Sequence, residues 1–230
     1  MREIKTEELQ KHRIFLASPQ FGGQCHSIFA RGLGDLAYLC GRYAVLLDTC
    51  FWWNEALVTR ARNYCVDEFL RSPADHLLFI DGDIGFKAQD AMELLILQIQ
   101  NPEYDIIGGM YRKKDISGQM VFNSGVQVDT TMREPVEVDG IGTGFMLIRR
   151  EVFDRFAKAF PQYAHRPDNK PGPFDGHRLI MQYFQAEIDP DDRRYLSEDY
   201  WFSRRCREIG IRTWLCPWMR LRHAGMFIFE

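Results

Sequence analysis

The sequence predicts an α/β fold with a mostly parallel central sheet and helices on both faces. Short apolar runs alternate with longer amphipathic stretches along the first half of the chain, which is the pattern of successive strand–helix units. The run Leu77-Leu78-Phe79-Ile80 contains no polar residue, as expected of a strand buried on both faces. With 230 residues and 46% hydrophobic residues, the chain can bury a sizeable core.

The elements predicted for the first half are best illustrated by its central helix. Leu57, Ala61, Cys65 and Phe69 recur at four-residue spacing and so share one helix face, and Ser72-Pro73 stops the helix. In chain order, we predict a strand over residues 14–17, a turn over 18–23, a helix over 26–39, a strand over 43–47, a helix over 55–69, a strand over 77–80, a helix over 88–100 and a strand over 105–108.

The second half predicts a less regular arrangement. Alternation over residues 119–128 and 134–138 indicates a hairpin or a pair of antiparallel edge strands. Residues 161–176 contain four prolines and two glycines, so we expect a long loop there. Ser197 is placed as the N-cap of a helix that Gly210 ends. The other predicted elements are a strand over 145–148, a helix over 151–159 and a strand over 212–216.

Composition and charge exclude several classes of protein. A net charge of −3 offers no basic field for nucleic acid. The six cysteines form no Cys-x-x-Cys pair, which gives zinc no spacing support and favours a reducing, cytoplasmic compartment. No run approaches the roughly 20 apolar residues of a transmembrane segment, and the first residues lack the apolar core of a signal peptide.

The most informative motif is Asp81-Gly82-Asp83, which directly follows the apolar run. In open α/β sheets, ligands bind just past the carboxyl ends of the strands, and two acids there can hold a hard divalent cation. Gly82 allows a turn and the close approach of a ligand. A solvated Asp-Gly turn is the alternative interpretation of the isolated motif.

Five features in one chain order give this motif its context. They are the turn after the first strand, Arg62-Asn63, Asp81-Gly82-Asp83, Ser197-Glu198-Asp199 and His223. In this order the chain resembles the GT-A-fold glycosyltransferases, family-2-like and similar to small viral and bacterial nucleotide-sugar transferases. The resemblance extends from about residue 14 to residue 225.

Two further stretches resemble the same family. Residues 142–153 are similar to its glycine-rich turn and the strand beside the donor sugar. Glu198-Asp199, followed by Arg204 or Arg205 and then Gly210, is similar to its helix with the order Glu-Asp, Arg, Gly.

The resemblance implies a fold and a reaction. The fold is a Rossmann-like, mostly parallel sheet flanked by helices, with a small antiparallel edge element in the C-terminal half. It implies one domain over residues 1–230, in which 1–110 bind the nucleotide sugar and 111–230 bind the acceptor. The reaction is the transfer of a hexose-like sugar, with inversion, from a UDP- or GDP-linked donor to a hydroxyl of a glycan, a lipid-linked molecule or a protein.

The resemblance also implies a divalent cation, Mn²⁺ or Mg²⁺, which neutralises the charge that develops on the diphosphate leaving group. Asp83 is the better ligand candidate because it lies further past the strand. By resemblance, Asp81 contacts the ribose, or the metal through water. His223 closes the metal shell, as a C-terminal histidine does in many relatives.

An inverting transfer also needs a base that deprotonates the acceptor hydroxyl. Asp199 and Glu198 are the candidates, and the resemblance favours Asp199 as the base and Glu198 as a contact to acceptor or sugar. Both carboxylates would also stabilise a helix N-terminus. Six residues are predicted to bind the donor. They are Ser18 and Pro19 after the first strand, Asp48 against the nucleobase, Arg62 against the diphosphate, Asp81 and Gly144.

Three other functions share parts of this pattern. A haloacid-dehalogenase-type phosphatase also has an apolar strand that ends in Asp-x-Asp, but the motif usually follows its first strand. A sugar-nucleotide pyrophosphorylase usually opens with a basic, glycine-rich phosphate loop, whereas residues 18–23 contain no basic residue. A non-catalytic nucleotide-sugar-binding module would keep the fold and lose the chemistry.

Overall fold

The computed structural model describes residues 4–114, 118–125, 127–168 and 177–225, together with the backbone of 228–229. The helices are α1 (Thr6–Leu9), α2 (Ser27–Tyr43), α3 (Val58–Arg71), α4 (Ala88–Gln100), α5 (Arg150–Ala159) and α6 (Glu198–Glu208). The strands are β1 (Arg13–Gln20), β2 (Leu46–Trp53), β3 (His76–Ile80), β4 (Ile84–Gly85), β5 (Ile106–Tyr111), β6 (Phe122–Asn123), β7 (Val136–Val138), β8 (Gly140–Ile141), β9 (Phe145–Arg149), β10 (Ala164–His165), β11 (Ile180–Met181), β12 (Glu187–Ile188), β13 (Tyr195–Leu196), β14 (Thr213–Ala224) and β15 (Ile228–Phe229).

The central sheet is mixed and mostly parallel, which confirms the predicted fold class. Its strands run in the order β15-β14-β5-β9-β3-β1-β2, and β4 and β7 also pair with β14. β1 is parallel to β2 and β3, and β14 is parallel to β5. β9 is antiparallel to both of its neighbours, β3 and β5. The start of β9 therefore lies at the same edge of the sheet as the carboxyl ends of β3 and β5.

Two hydrophobic cores cover the two faces of this sheet. Alternate residues of β1 face different cores. Ile14 and Leu16 pack with α2 and α4, whereas Phe15 and Ala17 pack with α3, α5 and α6. All five residues of β3 are buried, because a central strand with helices on both sides exposes neither face. This accounts for the continuous apolar run before Asp81.

Several predicted boundaries in the first half are wrong. β1 continues through Ser18, Pro19 and Gln20, which were predicted as a turn, because these residues pair with the last residues of β2. The second strand begins at Leu46 rather than at Tyr43, which is the last residue of α2. Ala44 follows it in the left-handed conformation, with φ of 54°. The strand predicted to end at residue 108 continues to Tyr111.

The second half also differs from the prediction. The described residues of 119–128 do not pair with 134–138: β6 pairs with β8, and β7 pairs with β14. The last strand is much longer than predicted and reaches Ala224, with an irregular register between Cys216 and Arg220. Residues 161–168 of the predicted loop include a 3-10 turn and β10, which pairs with β11; residues 169–176 lie outside the described residues.

The edge of the sheet opposite the strand ends carries a buried histidine, His76. Its Nδ1 lies 2.8 Å from Oε1 of Gln98, whose amide nitrogen donates to the carbonyls of Tyr104 and Asp105. The amide orientation makes Oε1 the acceptor, so Nδ1 of His76 carries the proton. Burial lowers the pKa of His76 to about 4.

We expect His76 to make stability depend on pH. In the unfolded chain, His76 binds a proton below a pH of about 6.5, whereas in the folded protein it stays neutral down to about pH 4. The free energy of unfolding therefore falls as the pH decreases through this window. The loss between pH 7 and 4.5 is about 2 kcal/mol. Urea unfolding at both pH values should show a flatter dependence for His76→Gln than for the wild type. His165→Gln, at a partly exposed histidine, is the control, and equal slopes for all three proteins would contradict the assignment.

Candidate active site

A cavity of about 590 Å³ opens at the edge of the sheet where β1, β3 and β5 end. The elements around it explain why distant residues meet there: each parallel strand delivers its following residues to the same edge. The described residues that line the cavity are Pro19, Gln20, Phe21, Gln24, Cys25, His26, Val58, Arg62, Asp81, Gly82, Asp83, Tyr111, Lys114 and His223.

Arg62 connects two acidic positions across the site. Its Nη2 donates to both oxygens of Asp81, at 2.9 and 3.1 Å, and its Nε donates to Oε1 of Glu198 at 3.1 Å. The side chain of Arg62 is only 3% exposed. Burial acts against its charge, but Asp81 and Glu198 raise the pKa of Arg62 above its ordinary value. The guanidinium therefore remains charged and holds the start of α6 against the end of β3.

One nitrogen of this guanidinium is not used in the described structure. Nη1 of Arg62 is buried, and no described residue accepts a hydrogen bond from it. An unpaired buried charged donor is costly, and Arg62 lines the cavity. Nη1 is therefore a charged donor without an acceptor among the described residues, on a side chain at the wall of the cavity.

Asp83 and His223 face each other across the cavity. Nε2 of His223 lies 3.6 Å from Oδ1 of Asp83, which is too long for a hydrogen bond. Nδ1 of His223 lies 2.8 Å from the carbonyl oxygen of Arg112, so Nδ1 carries the proton that this contact requires. In neutral His223, the lone pair of Nε2 then faces a carboxylate oxygen, an arrangement that a cation between the two atoms would stabilise.

These two side chains fit a divalent cation. Oδ1 of Asp83 is buried and has no hydrogen-bond partner among the described residues. Histidines that bind metals usually donate their second ring N–H to a carbonyl or carboxylate, as His223 does. Among the described residues, no group of three or more His, Cys, Asp or Glu side chains is arranged to hold a metal ion, so Mg²⁺ or Mn²⁺ would take its remaining ligands from phosphate oxygens and water.

The predicted ligand Asp81 is placed differently from Asp83. Both of its oxygens accept from Arg62, and they are not paired with His223. Burial raises the pKa of Asp81 despite the neighbouring guanidinium. The structure therefore brings together two of the three predicted metal ligands and pairs the third with Arg62.

Lys114 was not among the predicted site residues. Its ammonium contacts Oδ2 of Asp83, the oxygen that does not face His223. Burial acts to raise the pKa of Asp83. His223 and Lys114 outweigh this effect and lower the pKa to about 2. The carboxylate is thus ionised, and Lys114 holds it through Oδ2 while Oδ1 faces His223.

The start of α6 places Asp199 beside Glu198. Ser197 is the N-cap, as predicted, but its hydroxyl contacts Oδ1 of Asp199 instead of a backbone amide. The same oxygen accepts from the Tyr200 amide at 2.8 Å, and no described residue donates to Oδ2. Burial, followed by the charge of Glu198, raises the pKa of Asp199. A carboxylate of raised pKa with one open oxygen is suited to accept a proton.

Tyr111 lines the cavity, and two glycines pack against its side chain. The hydroxyl of Tyr111 accepts a hydrogen bond from the Gly144 amide at 3.0 Å, and the Gly144 carbonyl accepts one from the Asp81 amide at 3.2 Å. A Cβ atom at Gly144 would lie 2.6 Å from that hydroxyl, and one at Gly142 would lie 2.2 Å from it. Glycine is therefore required at both positions while Tyr111 is present.

Three of the predicted donor-binding residues do not line the cavity: Ser18, Asp48 and Gly144, which lies behind Tyr111. Ser18 is fully buried in β1 and does not line it, whereas Pro19 does. Asp48 was expected past the second strand but is its third residue, where it binds Nε and Nη2 of Arg13 at 2.5 and 2.7 Å. It therefore lies toward the opposite edge of the sheet and does not join the site residues.

Comparison with known proteins shows similarity in structure alone. No protein-family model matches the sequence, and no curated protein matches it significantly. The crystal structure of A197 from STIV is similar over 93% of this chain and 86% of that one, with a TM-score of 0.59 and 19% identity. The crystal structure of GalNAc-T7 with UDP, GalNAc and Mn²⁺ is similar over 92% of this chain but 44% of that one, with a TM-score of 0.56 and 10% identity.

Proposed function

We propose that this chain, whose fold is that of the GT-A glycosyltransferases, is a metal-dependent glycosyltransferase that inverts the configuration of the sugar. The observation that carries the proposal is the pairing of Asp83 Oδ1 with His223 Nε2, 3.6 Å apart, beside the buried Arg62. This arrangement offers a cation site and a fixed positive charge in one cavity, which is what a nucleoside diphosphate requires.

Each residue of the site has a distinct part in the proposed reaction. Asp83 and His223 would hold the cation, which would supply positive charge to neutralise the diphosphate leaving group. Arg62 offers Nη1 to the phosphates or the sugar and fixes Asp81 and Glu198. Asp199 takes the proton of the acceptor hydroxyl through Oδ2, while Ser197 and the Tyr200 amide hold Oδ1 in place.

The phosphatase alternative is disfavoured by the surroundings of Asp81. That reaction requires the first carboxylate of the motif as a nucleophile, but both oxygens of Asp81 accept from a buried guanidinium. A carboxylate stabilised in this way is a poor nucleophile. The position of β3 after β1 and β2 also differs from the usual position of the phosphatase motif.

Nucleotide binding tests the proposal directly. We expect UDP or GDP with Mn²⁺ to raise the midpoint of thermal unfolding by several degrees, because a ligand at 100 times its Kd stabilises the native state by about 2.7 kcal/mol. UMP and GMP, which lack the second phosphate, should give smaller shifts. Excess EDTA should remove most of the effect. If no diphosphate shifts the midpoint with Mn²⁺ or Mg²⁺, the proposed donor site is wrong.

A further inference from the structure

Asp83 has a different neighbour at each carboxylate oxygen. Oδ1 faces Nε2 of His223, and Oδ2 contacts the ammonium of Lys114. The side chain of Asp83 is 25% exposed and that of Lys114 is 42% exposed, so the lysine lies at the mouth of the cavity. Both residues line that cavity together with Arg62.

We propose that Lys114 is a second cation for the donor diphosphate, held at the cavity by Oδ2 of Asp83. This inference rests on the proposed function, since it assumes a divalent cation at Oδ1 and a diphosphate in the cavity. In this arrangement the Asp83 carboxylate binds two positive charges, the metal through one oxygen and Lys114 through the other.

The charges of the described site explain why this sharing matters. Arg62 pairs with both Asp81 and Glu198, and Lys114 pairs with Asp83, so two cations face three carboxylates. Lys114 therefore makes the cavity less negative before a metal binds, which favours the approach of an anionic diphosphate. The same contact lowers the affinity of the site for a divalent cation, because the positive charge of Lys114 weakens the attraction between Asp83 and the metal.

Removing the ammonium therefore has effects of opposite sign on the two ligands. The metal should bind more tightly, since a like charge has been removed from its ligand. The diphosphate should bind more weakly, since one of its cations has been lost. A lysine that only stabilised the fold would not produce this pair of opposite changes.

The chain supplies a matched control at the neighbouring position. Lys113 has the same charge and lies on the same segment, but its ammonium donates to Oε1 of Gln119 at 2.9 Å and does not line the cavity. Lys113→Met removes the same charge from the protein without touching Asp83. It therefore separates the effect of the local contact from that of net charge.

The experiment compares the full-length wild type with Lys114→Met, Lys114→Arg and Lys113→Met. Binding of Mn²⁺ alone is followed by electron paramagnetic resonance of the free ion, and binding of UDP and GDP in saturating Mn²⁺ by calorimetry. For Lys114→Met we expect the Kd for Mn²⁺ to fall, and that for the diphosphate to rise, each by roughly 2- to 5-fold. Lys114→Arg should restore both values toward the wild type, and Lys113→Met should leave both unchanged. Circular dichroism verifies that each variant is folded.

The outcomes separate this inference from the proposed function. A wild type that binds neither Mn²⁺ nor either nucleotide contradicts the proposed function itself. If the wild type binds both and Lys114→Met changes neither affinity, only the role of Lys114 is wrong. Tighter Mn²⁺ binding with unchanged diphosphate affinity also overturns it, because Lys114 would then compete with the metal without contacting the diphosphate.

Discussion

Replacing Asp199 by Asn should reduce sugar transfer by about 10²- to 10⁴-fold, the usual contribution of a general base. Asparagine is nearly the same size and can still accept at its Oδ1 position from Ser197 and the Tyr200 amide. It cannot take a proton from the acceptor hydroxyl. Donor binding should be retained, because the contacts of Arg62, Asp83 and His223 remain.

Glu198→Gln is the matched comparison, because it alters the adjacent carboxylate that Nε of Arg62 binds at 3.1 Å. We expect a smaller loss of transfer and weaker donor binding, since the position of Arg62 would be less fixed. The wild-type rate should also fall at low pH as Asp199 is protonated, at a pH above the usual range of aspartate because burial raises its pKa. A large loss of transfer in Glu198→Gln with normal Asp199→Asn would reverse the two roles.

Replacing Asp83 by Ala should abolish binding of Mn²⁺ and metal-dependent turnover, with at least a 10²-fold loss of transfer. The change removes the oxygen that faces His223 as well as the partner of Lys114. The fold should be preserved, because Asp83 lies past the end of β3 and is one-quarter exposed. Manganese binding by paramagnetic resonance and transfer with and without EDTA are the measurements.

Asp129→Ala is a suitable control for Asp83→Ala, because the carboxylate of this exposed aspartate bonds only with Thr131 among the described residues. It should bind Mn²⁺ and turn over like the wild type. Full activity of Asp83→Ala, or of the wild type in excess EDTA, would show that the reaction needs no cation at this position.

The sequence was sufficient to predict the elements whose signals are local. The buried run of β3, the N-cap Ser197 and the helix α4 follow from apolar patterning and capping, and the structure confirms them. The meeting of Asp83 with His223 was predicted through the resemblance, since the two residues are far apart in the chain.

Contacts that depend on tertiary pairing could not be predicted in the same way. The strand predicted over 105–108 ends too early, because β5 continues through Gly109 to Tyr111, and a Cβ at Gly108 would lie 2.2 Å from the Phe145 carbonyl oxygen. Ending the strand there excluded Tyr111 and Lys114 from the predicted site. Asp48 was predicted to follow the second strand but lies inside it, because pairing with β1 sets where β2 begins.

The position of β9 has a consequence for how the chain can be divided. Its five residues come from the second half of the sequence, yet β9 lies between β3 and β5, which belong to the first half. A fragment of residues 1–110 would leave the facing edges of β3 and β5 without a partner, with their backbone amides and carbonyls exposed to solvent or to other chains. Such a fragment is expected to aggregate when expressed alone, whereas supplying residues 111–230 in trans would restore the missing strand along with the residues that follow it.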